Sequence, residues 1–301
     1  MRVLVTGARG QVGWEAVRAF QPLGEVIAVD RSTLDLGDAD AVRRVVRGVR
    51  PDVVINAAAY TAVDRAEDEP EAAMRINGLA PGWIAEECRA LRALMVHYST
   101  DYVWDGSGDA PRLETDPTAP LNEYGRTKLA GERAIAAVGG HWLTFRTSWV
   151  FADRAANFPR TMLRLAAERE SLRVVGDQHG APTSARLIAD ATAHAVVRAL
   201  DETARGRFES GLYNLVAGGE TTWHGVALAV VEGARRRGLP IRASEVESIP
   251  SAAFPTRARR PANSRMSTAA FRARFGLALP DWERGVGLFL DAVADGAATA
   301  R

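Results

Sequence analysis

The sequence predicts an α/β fold built around a doubly wound parallel sheet, and two observations support this. In the first half of the chain, short and continuously apolar runs alternate with amphipathic helical patterns, which is typical of a parallel sheet covered by helices on both faces. A glycine-rich turn, Gly7 to Gly13, also joins the first apolar run to the first helical pattern. Strand, glycine turn and helix in this order predict a Rossmann-type sheet.

The elements of the first half follow in order from these patterns. Apolar runs predict five strands, at Arg2–Thr6, Glu25–Asp30, Asp52–Asn56, Ala93–Ser99 and Trp142–Arg146. Apolar residues spaced three and four apart predict helices at Gln11–Gln21, Ala41–Val49, Glu71–Leu91 and from Asn122 to about Val138. Pro51 closes the second helix, and the Gly, Asp and Pro residues between Asp105 and Pro120 predict a loop before the fourth helix.

The second half of the chain alternates less regularly and predicts a smaller α/β lobe. Helices are expected at Asn157–Arg169, Ala185–Leu200, Thr222–Gly233, Ser267–Arg274 and Trp282–Ala294, with short strands at Leu172–Val175 and Leu212–Val216. Pro255–Arg265 contains four arginines and two prolines and is interpreted as a loop. We place the boundary near residue 150 and expect that chain segments can cross between the two lobes.

Composition and charge exclude several classes of protein. The chain has 301 residues, of which 47% are hydrophobic and 25% charged, as in an ordinary globular protein. Thirty-eight basic residues stand against 37 acidic ones, so the net charge of +1 gives no support to a nucleic-acid or membrane-surface partner. No apolar run approaches the ~18 residues of a membrane span. The lone Cys88 excludes an intramolecular disulfide and a multi-cysteine metal site, and we expect a cytoplasmic protein.

The glycine turn has the spacing of a dinucleotide-binding loop. Gly7 permits the tight turn, Gly10 lets a pyrophosphate approach the backbone, and Gly13 brings the helix close to the strand. The helix start then favours phosphate binding. Asp30, at the end of the second strand, would accept hydrogen bonds from the ribose of NADH, whereas Arg9 and Arg31 would bind the additional phosphate of NADPH. The choice between these two cofactors stays open.

A tyrosine and a lysine share one face of the fourth helix. Tyr124 and Lys128 are four residues apart, about one helical turn. A phenol transfers protons poorly near neutral pH unless its anion is stabilised, which a nearby ammonium does. Lys128 is also the only lysine among the 38 basic residues. Ser99, Thr100 and Asp101 end the fourth strand, where open α/β sheets bind ligands, whereas His97 in that strand is interpreted as a core histidine.

These motifs resemble a known family. The glycine loop, Asn56–Tyr60, Ser99–Val103 and Tyr124-x-x-x-Lys128 are similar to the extended short-chain dehydrogenase/reductases. The segments 58–64, 120–125, 146–150, 177–183 and 260–264 resemble, more narrowly, the dTDP-4-dehydrorhamnose reductase family. The resemblance runs from residue 3 to about residue 285. It implies that residues 1–150 form an NAD(P)-binding Rossmann domain and that residues 151–301 form mainly a substrate-binding lobe.

The resemblance also implies an activity and a set of site residues. In the family, NADH or NADPH reduces the 4-keto group of dTDP-4-dehydro-β-L-rhamnose to give dTDP-L-rhamnose, the last step of its biosynthesis. Tyr124 matches the proton donor, Lys128 the lysine that lowers its pKa and binds the ribose, and Thr100 the hydroxyl of the triad. Asp101 and Trp149 match residues at the sugar. The expected cofactor-binding residues, with Tyr124 and Lys128, are Gly7, Gly10, Gln11, Val12, Gly13, Asp30, Arg31, Asp35, Leu36, Ala58, Ala59, Tyr60, Thr61 and Tyr98.

Two further expectations concern phosphate and metal. Arg260 and Arg265, in the arginine-rich loop, are candidates for binding the diphosphate of a nucleotide sugar, because guanidinium groups bind phosphate oxygens in pairs. Some family members form dimers through Mg²⁺ held by glutamates. Here Glu15 is present, but Arg186 stands where a second glutamate is expected. We therefore expect a monomer or a metal-free homodimer, and chemistry that requires no metal.

Two alternative functions remain open from the sequence. A nucleotide-sugar epimerase or dehydratase of the same superfamily would retain and regenerate its NAD⁺, although a dehydratase would require a second acidic residue beside Thr100 and Asp101. A non-catalytic, NADP-binding regulatory subunit would bind a partner protein without turnover, and the presence of Tyr124, Lys128 and Thr100 argues against it.

Overall fold

Six parallel strands form the central sheet of the protein. The computed structural model describes residues 1–299. The strands of this sheet are β1 (Arg2–Thr6), β2 (Glu25–Val29), β3 (Val53–Asn56), β4 (Leu94–Thr100), β5 (His141–Thr147) and β10 (Gly211–Asn214). Their order is β10-β5-β4-β3-β1-β2, so the chain runs outward from β1 in both directions. All five pairs are parallel, and the predicted Rossmann-type doubly wound fold is confirmed.

Helices cover both faces of this sheet. They are α1 (Gln11–Phe20), α2 (Ala39–Val49), α5 (Ala80–Leu91), α6 (Glu123–Val138) and α8 (Ala185–Ala204). Alternate residues of β1 point to opposite cores: Val3 and Val5 pack with α1 and α8, whereas Leu4 packs with α2, α5 and α6. This alternation follows from the period of two in a strand. It explains why the central strands are apolar without interruption.

The segment before β4 differs from the single predicted helix at Glu71–Leu91. Short helices α3 (Val63–Ala66) and α4 (Pro70–Met74) precede a π-helical turn at Arg75–Leu79, which continues into α5. In this turn the amide of Ala80 donates to the carbonyl of Arg75, five residues back. Such wide turns occur frequently at functional sites. This one carries the buried Asn77, which contacts the site described below.

The remaining elements, apart from one helix, form a smaller lobe with its own core. They comprise strands β6 (Val150–Phe151), β7 (Ser171–Val175), β8 (His179–Gly180), β9 (Thr183–Ser184), β11 (Thr221–Thr222) and β12 (Glu245–Ile249), and helices α7 (Phe158–Glu168), α9 (Trp223–Arg236), α10 (Ala269–Phe275) and α11 (Trp282–Thr299). Phe151, Met162, Val226 and Phe289 are buried in that core. Helix α10 instead packs on the central sheet with α8 and β10. The sheet thus takes elements from beyond residue 150, and the division at that residue stays a prediction.

No helix within residues 1–299 combines the length and the apolar character that crossing a membrane requires.

Candidate active site

A cleft of about 1220 Å³ opens where the strands of the central sheet end. Its walls are the glycine loop after β1, the segments after β2 and β3, the end of β4 and the start of α6. The smaller lobe contributes Trp149 and Trp223 to the opposite wall. Ligands of open α/β sheets bind at this edge. Most of the predicted site residues therefore meet in one place.

Two glycines of the glycine loop leave no room for a side chain. Gly7 has a φ of 67°, and a Cβ atom there would lie 2.7 Å from the backbone of Ala58. A Cβ atom on Gly13 would lie 2.1 Å from the carbonyl oxygen of Gly7. Gly10 precedes the first turn of α1, which has no acidic residue, so the positive end of the helix faces the cleft uncompensated. Gln11 and Val12 in that turn also line the cleft. This cradle fits the pyrophosphate of a dinucleotide.

Asp30 is already paired within the protein. Its Oδ2 lies 2.5 Å from Arg9 Nε, and its Oδ1 accepts hydrogen bonds from the Ser32 amide at 2.8 Å and hydroxyl at 2.5 Å. The hydrogen bonds from Ser32, with a smaller contribution from Arg9, hold the pKa of Asp30 below its usual value. Arg9 and Arg31 are exposed beside it at the cleft. The site thus presents one carboxylate for ribose hydroxyls and two guanidinium groups for a phosphate.

The other predicted cofactor residues also line the cleft. Asp35 and Leu36 follow β2, and Asp35 additionally accepts a hydrogen bond from the amide of Gly37 at 2.8 Å. The segment after β3 contributes Ala58, Ala59, Tyr60 and Thr61. It is held by Asn77, whose amide group bonds the Tyr60 backbone N–H at 2.8 Å and carbonyl at 3.0 Å. No pattern along the chain predicted Asn77, because its contact depends on the π-helical turn.

Tyr124 lies in the first turn of α6. Asn122 caps this helix by accepting a hydrogen bond from the Gly125 amide at 2.8 Å, and its own amide group donates to the carbonyl of Arg259 at 2.8 Å. The rings of Tyr124 and Tyr102 pack edge to face, with their centroids 5.5 Å apart. Burial and, to a smaller extent, the charge of Asp101 raise the pKa of Tyr124 to about 12, while a hydrogen bond with Thr100 lowers it. The phenol therefore needs a cation to act near neutral pH.

Lys128 lies one turn further along α6 and also lines the cleft. Its side chain is 2% exposed, and Nζ donates to the carbonyl of Tyr98 at 2.6 Å and lies 3.2 Å from His97 Nε2. Burial lowers the pKa of Lys128 to about 8, and the carboxylate of Glu132 opposes this shift. The group is thus an ammonium at neutral pH. His97 is buried, as expected, but its contact with Lys128 was not predicted.

Thr100 and Asp101 form a buried hydroxyl and carboxyl pair at the end of β4. The Thr100 hydroxyl donates to Asp101 Oδ1 at 3.0 Å, and Asp101 Oδ2 accepts a short hydrogen bond from Ser264. Burial raises the pKa of Asp101 to about 6, although both hydroxyls lower it. Ser264 belongs to the arginine-rich loop, so this loop closes directly onto the end of β4. Both Thr100 and Asp101 line the cleft.

Two stacked indole rings form the wall from the smaller lobe. The rings of Trp149 and Trp223 lie 3.8 Å apart with an interplanar angle of 16°. Trp149 has a φ of 50°, a conformation that a bulky residue rarely adopts. Trp223 donates from Nε1 to Gln178 at 3.1 Å. Trp149 was predicted, whereas Trp223 was interpreted only as part of a helix start, because the two residues meet through tertiary packing.

The two predicted diphosphate-binding arginines do not line the cleft. Arg260 Nη2 lies 2.8 Å from Asp64, and Arg265 Nε lies 2.7 Å from Glu220. Arg260 is nevertheless close enough to Tyr102 to lower its pKa, against the larger effect of burial. Its Nη1 is buried and has no hydrogen-bond partner among residues 1–299. Diphosphate binding by Arg260 and Arg265 stays a prediction.

Glu15, the glutamate considered for Mg²⁺, forms an ion pair instead. Glu15 accepts from Arg18 Nε at 2.7 Å, and Arg18 Nη2 lies 2.5 Å from Asp190. Arg186 lies in α8, which packs against α1. Within residues 1–299, the structure contains no group of three or more acidic, histidine or cysteine side chains arranged to hold a metal ion.

The sheet, the glycine cradle and the Tyr–Lys helix define a protein of the extended short-chain dehydrogenase/reductase fold. The chain belongs to the family described as "RmlD substrate binding domain", whose model matches residues 1–294. It is 53% identical to a dTDP-4-dehydrorhamnose reductase of Burkholderia thailandensis over 96% of this chain and 97% of the relative. It is 51% identical to the reductase of that name from Escherichia coli K12, over 95% of this chain and 96% of the relative. A Bacillus anthracis dTDP-4-dehydrorhamnose reductase solved in complex with NADP superposes with a TM-score of 0.87 at 31% identity, covering 97% of this chain and 99% of that one.

Proposed function

We propose that this chain is an NAD(P)H-dependent oxidoreductase that reduces the 4-keto group of dTDP-4-dehydro-β-L-rhamnose and forms dTDP-L-rhamnose. The observation that carries the proposal is the meeting of Tyr124, Lys128 and Thr100 in one cleft with the glycine cradle. Identity of about half to reductases of this name, over nearly the whole of both chains, supports the substrate.

Thr100, Tyr124 and Lys128 each have a separate role in the transfer of the proton. When bound, NAD(P)H supplies the hydride that the sugar carbon accepts. Thr100 and Tyr124 hydrogen-bond the keto oxygen, and Tyr124 donates its phenolic proton as negative charge develops there. The ammonium of Lys128 stabilises the phenolate that results. The phenol is then reprotonated from solvent, and the alcohol product leaves.

The cofactor is held by the cradle and by the charged groups after β2. The amides of Gly10, Gln11 and Val12 would bind the pyrophosphate, and Asp30 would bind the adenine ribose. Arg9 and Arg31 would bind a 2′-phosphate, which favours NADPH, whereas displacement of Arg9 from Asp30 would free the carboxylate for NADH. We expect both cofactors to bind.

We further expect the enzyme to work in the cytoplasm, with no nucleic acid or membrane as partner. Its assembly state is expected to be a monomer or a metal-free homodimer, because Arg18 already neutralises Glu15. Trp149 is proposed to line the sugar site and Arg260 and Arg265 to bind the diphosphate. Loss of activity on dialysis against a chelator, with recovery on adding Mg²⁺, would contradict the metal-free expectation.

An absorbance assay tests the proposed reaction. The purified chain is mixed with dTDP-4-dehydro-β-L-rhamnose, generated by the enzymes that precede it, and with NADPH or NADH. We expect oxidation of one cofactor per sugar reduced, and a protein that is purified without tightly bound NAD⁺. An epimerase or dehydratase would instead retain NAD⁺ and consume no reduced cofactor. Binding of NADP without turnover of the sugar would favour the regulatory subunit.

A further inference from the structure

A row of three buried polar side chains runs beneath the cleft, and the mechanism above does not use it. Thr6 ends β1, Asn56 ends β3 and His97 lies in β4, and the parallel register places each beside the next. None of them is more than 2% exposed. Thr6 Oγ1 lies 2.7 Å from Asn56 Oδ1, and Asn56 Nδ2 lies 3.1 Å from His97 Nδ1. The row ends at Lys128, because His97 Nε2 lies 3.2 Å from Nζ.

The chemistry of an ammonium determines which way these hydrogen bonds run. Lys128 carries three N–H donors and no acceptor, so His97 Nε2 must accept. The carbonyl of Tyr98 accepts a second hydrogen bond at 2.6 Å. Strand β4 thus takes two of the three donors, and the third is left for the cleft that Lys128 lines. A flexible lysine side chain is thereby given one orientation.

The proton on His97 is fixed by the same reasoning. If Nε2 accepts, the hydrogen of the neutral ring is on Nδ1 and has to be donated to Asn56. With the proton on Nδ1, the Asn56 amide must be turned over from the orientation above, so that Oδ1 faces His97 and Nδ2 faces Thr6, since otherwise two donors would face each other. Burial, and to a smaller extent the charge of Lys128, hold the pKa of His97 well below its usual value, so the ring is neutral.

We infer that His97 is a positioning residue, whose Nδ1-protonated ring accepts a hydrogen bond from Lys128 and holds the ammonium toward the cleft. The other groups around Lys128 do not replace this contact. On α6, Glu132 raises the pKa of Lys128 but is held by Arg146 of β5, and Tyr124 faces the cleft. The orientation of Lys128 does not depend on the proposed function, whereas its effect on the reduction rests on that function.

The single lysine of the sequence makes the inference measurable without turnover. Protein labelled with carbon-13 at lysine gives one lysine side-chain signal, that of Lys128. Its titration reports the pKa of Lys128 directly in the protein without cofactor or substrate. The buried environment predicts a value of about 8 in the unmodified protein.

Two variants test whether an acceptor at the position of His97 Nε2, rather than the whole imidazole ring, holds Lys128. The side chain of His97→Gln is long enough to offer an oxygen in the place of Nε2, whereas His97→Asn reaches only the place of Nδ1. We expect the pKa of Lys128 to fall by about one unit or more in His97→Asn, because a charge-assisted hydrogen bond is lost, and by less than about half a unit in His97→Gln. NADPH should bind about tenfold more weakly to the Asn variant only. Equal pKa values in both variants would overturn the inference.

A measurement on the unmodified protein covers the case in which a variant does not fold. Thermal melting of each variant establishes whether it folds. Nitrogen-15 spectra of the histidine rings report which nitrogen of His97 carries the proton, and we expect Nδ1. A proton on Nε2 would exclude acceptance from the ammonium and overturn the inference. Because neither the spectra nor the titration requires turnover, they stand apart from the reductase assay, whose failure would contradict only the proposed function.

Discussion

The ion pair between Glu132 and Arg146 connects the stability of the fold to the chemistry of the site. Arg146 Nε and Nη2 donate to the two carboxylate oxygens of Glu132 at 2.9 Å and 2.7 Å, and both side chains are about 5% exposed or less. The guanidinium group also lies 4.7 Å from the ring of Trp104. Glu132→Gln therefore leaves a buried guanidinium without its counter-charge, which costs about 3–5 kcal/mol of unfolding free energy.

For a chain of this size, that loss corresponds to a melting temperature lower by roughly 6–10 °C, at about 2 °C per kcal/mol. Thermal unfolding followed by circular dichroism measures it. The matched control is Glu168→Gln, which breaks an exposed pair with Arg164 and should shift the melting temperature by less than about 2 °C. The same Glu132→Gln variant should lower the pKa of Lys128, because Glu132 raises it. A melting temperature within about 2 °C of the parent protein would refute this reasoning.

Three further predictions concern the cleft. Gly13→Ala should weaken cofactor binding by at least about tenfold, because its Cβ atom would lie 2.1 Å from the Gly7 carbonyl oxygen. Gly48→Ala is the control, because its added Cβ would have no atom of the described residues within 4 Å, and it should bind the cofactor as the parent protein does. Equal affinities of the two variants would contradict this prediction. Arg260→Ala should raise KM for the nucleotide sugar roughly tenfold and leave the cofactor KM unchanged, with Arg257→Ala as control; an unchanged sugar KM would remove Arg260 from the site. Because Lys128 is charged only below its pKa of about 8, kcat/KM should decline as the pH rises through that value; a flat alkaline profile would contradict the role of the ammonium.

Features that depend on residues close together along the chain could be predicted from the sequence. The glycine loop, the five strands that form the core of the sheet and the pair Tyr124 and Lys128 each follow from spacing along the chain. Their meeting in one cleft then follows from the parallel sheet, since the carboxyl ends of its strands lie at one edge.

Features that depend on contacts between residues far apart along the chain could not be predicted in this way. Asn77 reaches the Tyr60 backbone only because a π-helical turn interrupts the helix. Trp223 and Ser264 reach the site from the smaller lobe, through contacts with Trp149 and Asp101 that no local pattern encodes.

Strand β12 was missed for a different reason, because its sequence is mostly polar and exposed. Only its pairing with β7 defines it as a strand. Local patterns therefore predict the scaffold of this protein well and predict poorly the contacts that join its two lobes.

The central claim is that Tyr124 provides the proton for reduction. Tyr124→Phe keeps the ring and removes only the hydroxyl, so its turnover with the nucleotide sugar should fall by about 10²–10⁴-fold. Cofactor affinity, followed by protein fluorescence on titration with NADPH, should stay within about twofold of the parent value, because the cradle and Lys128 are unchanged. A Tyr124→Phe variant that turns over the sugar at the parent rate would contradict the account.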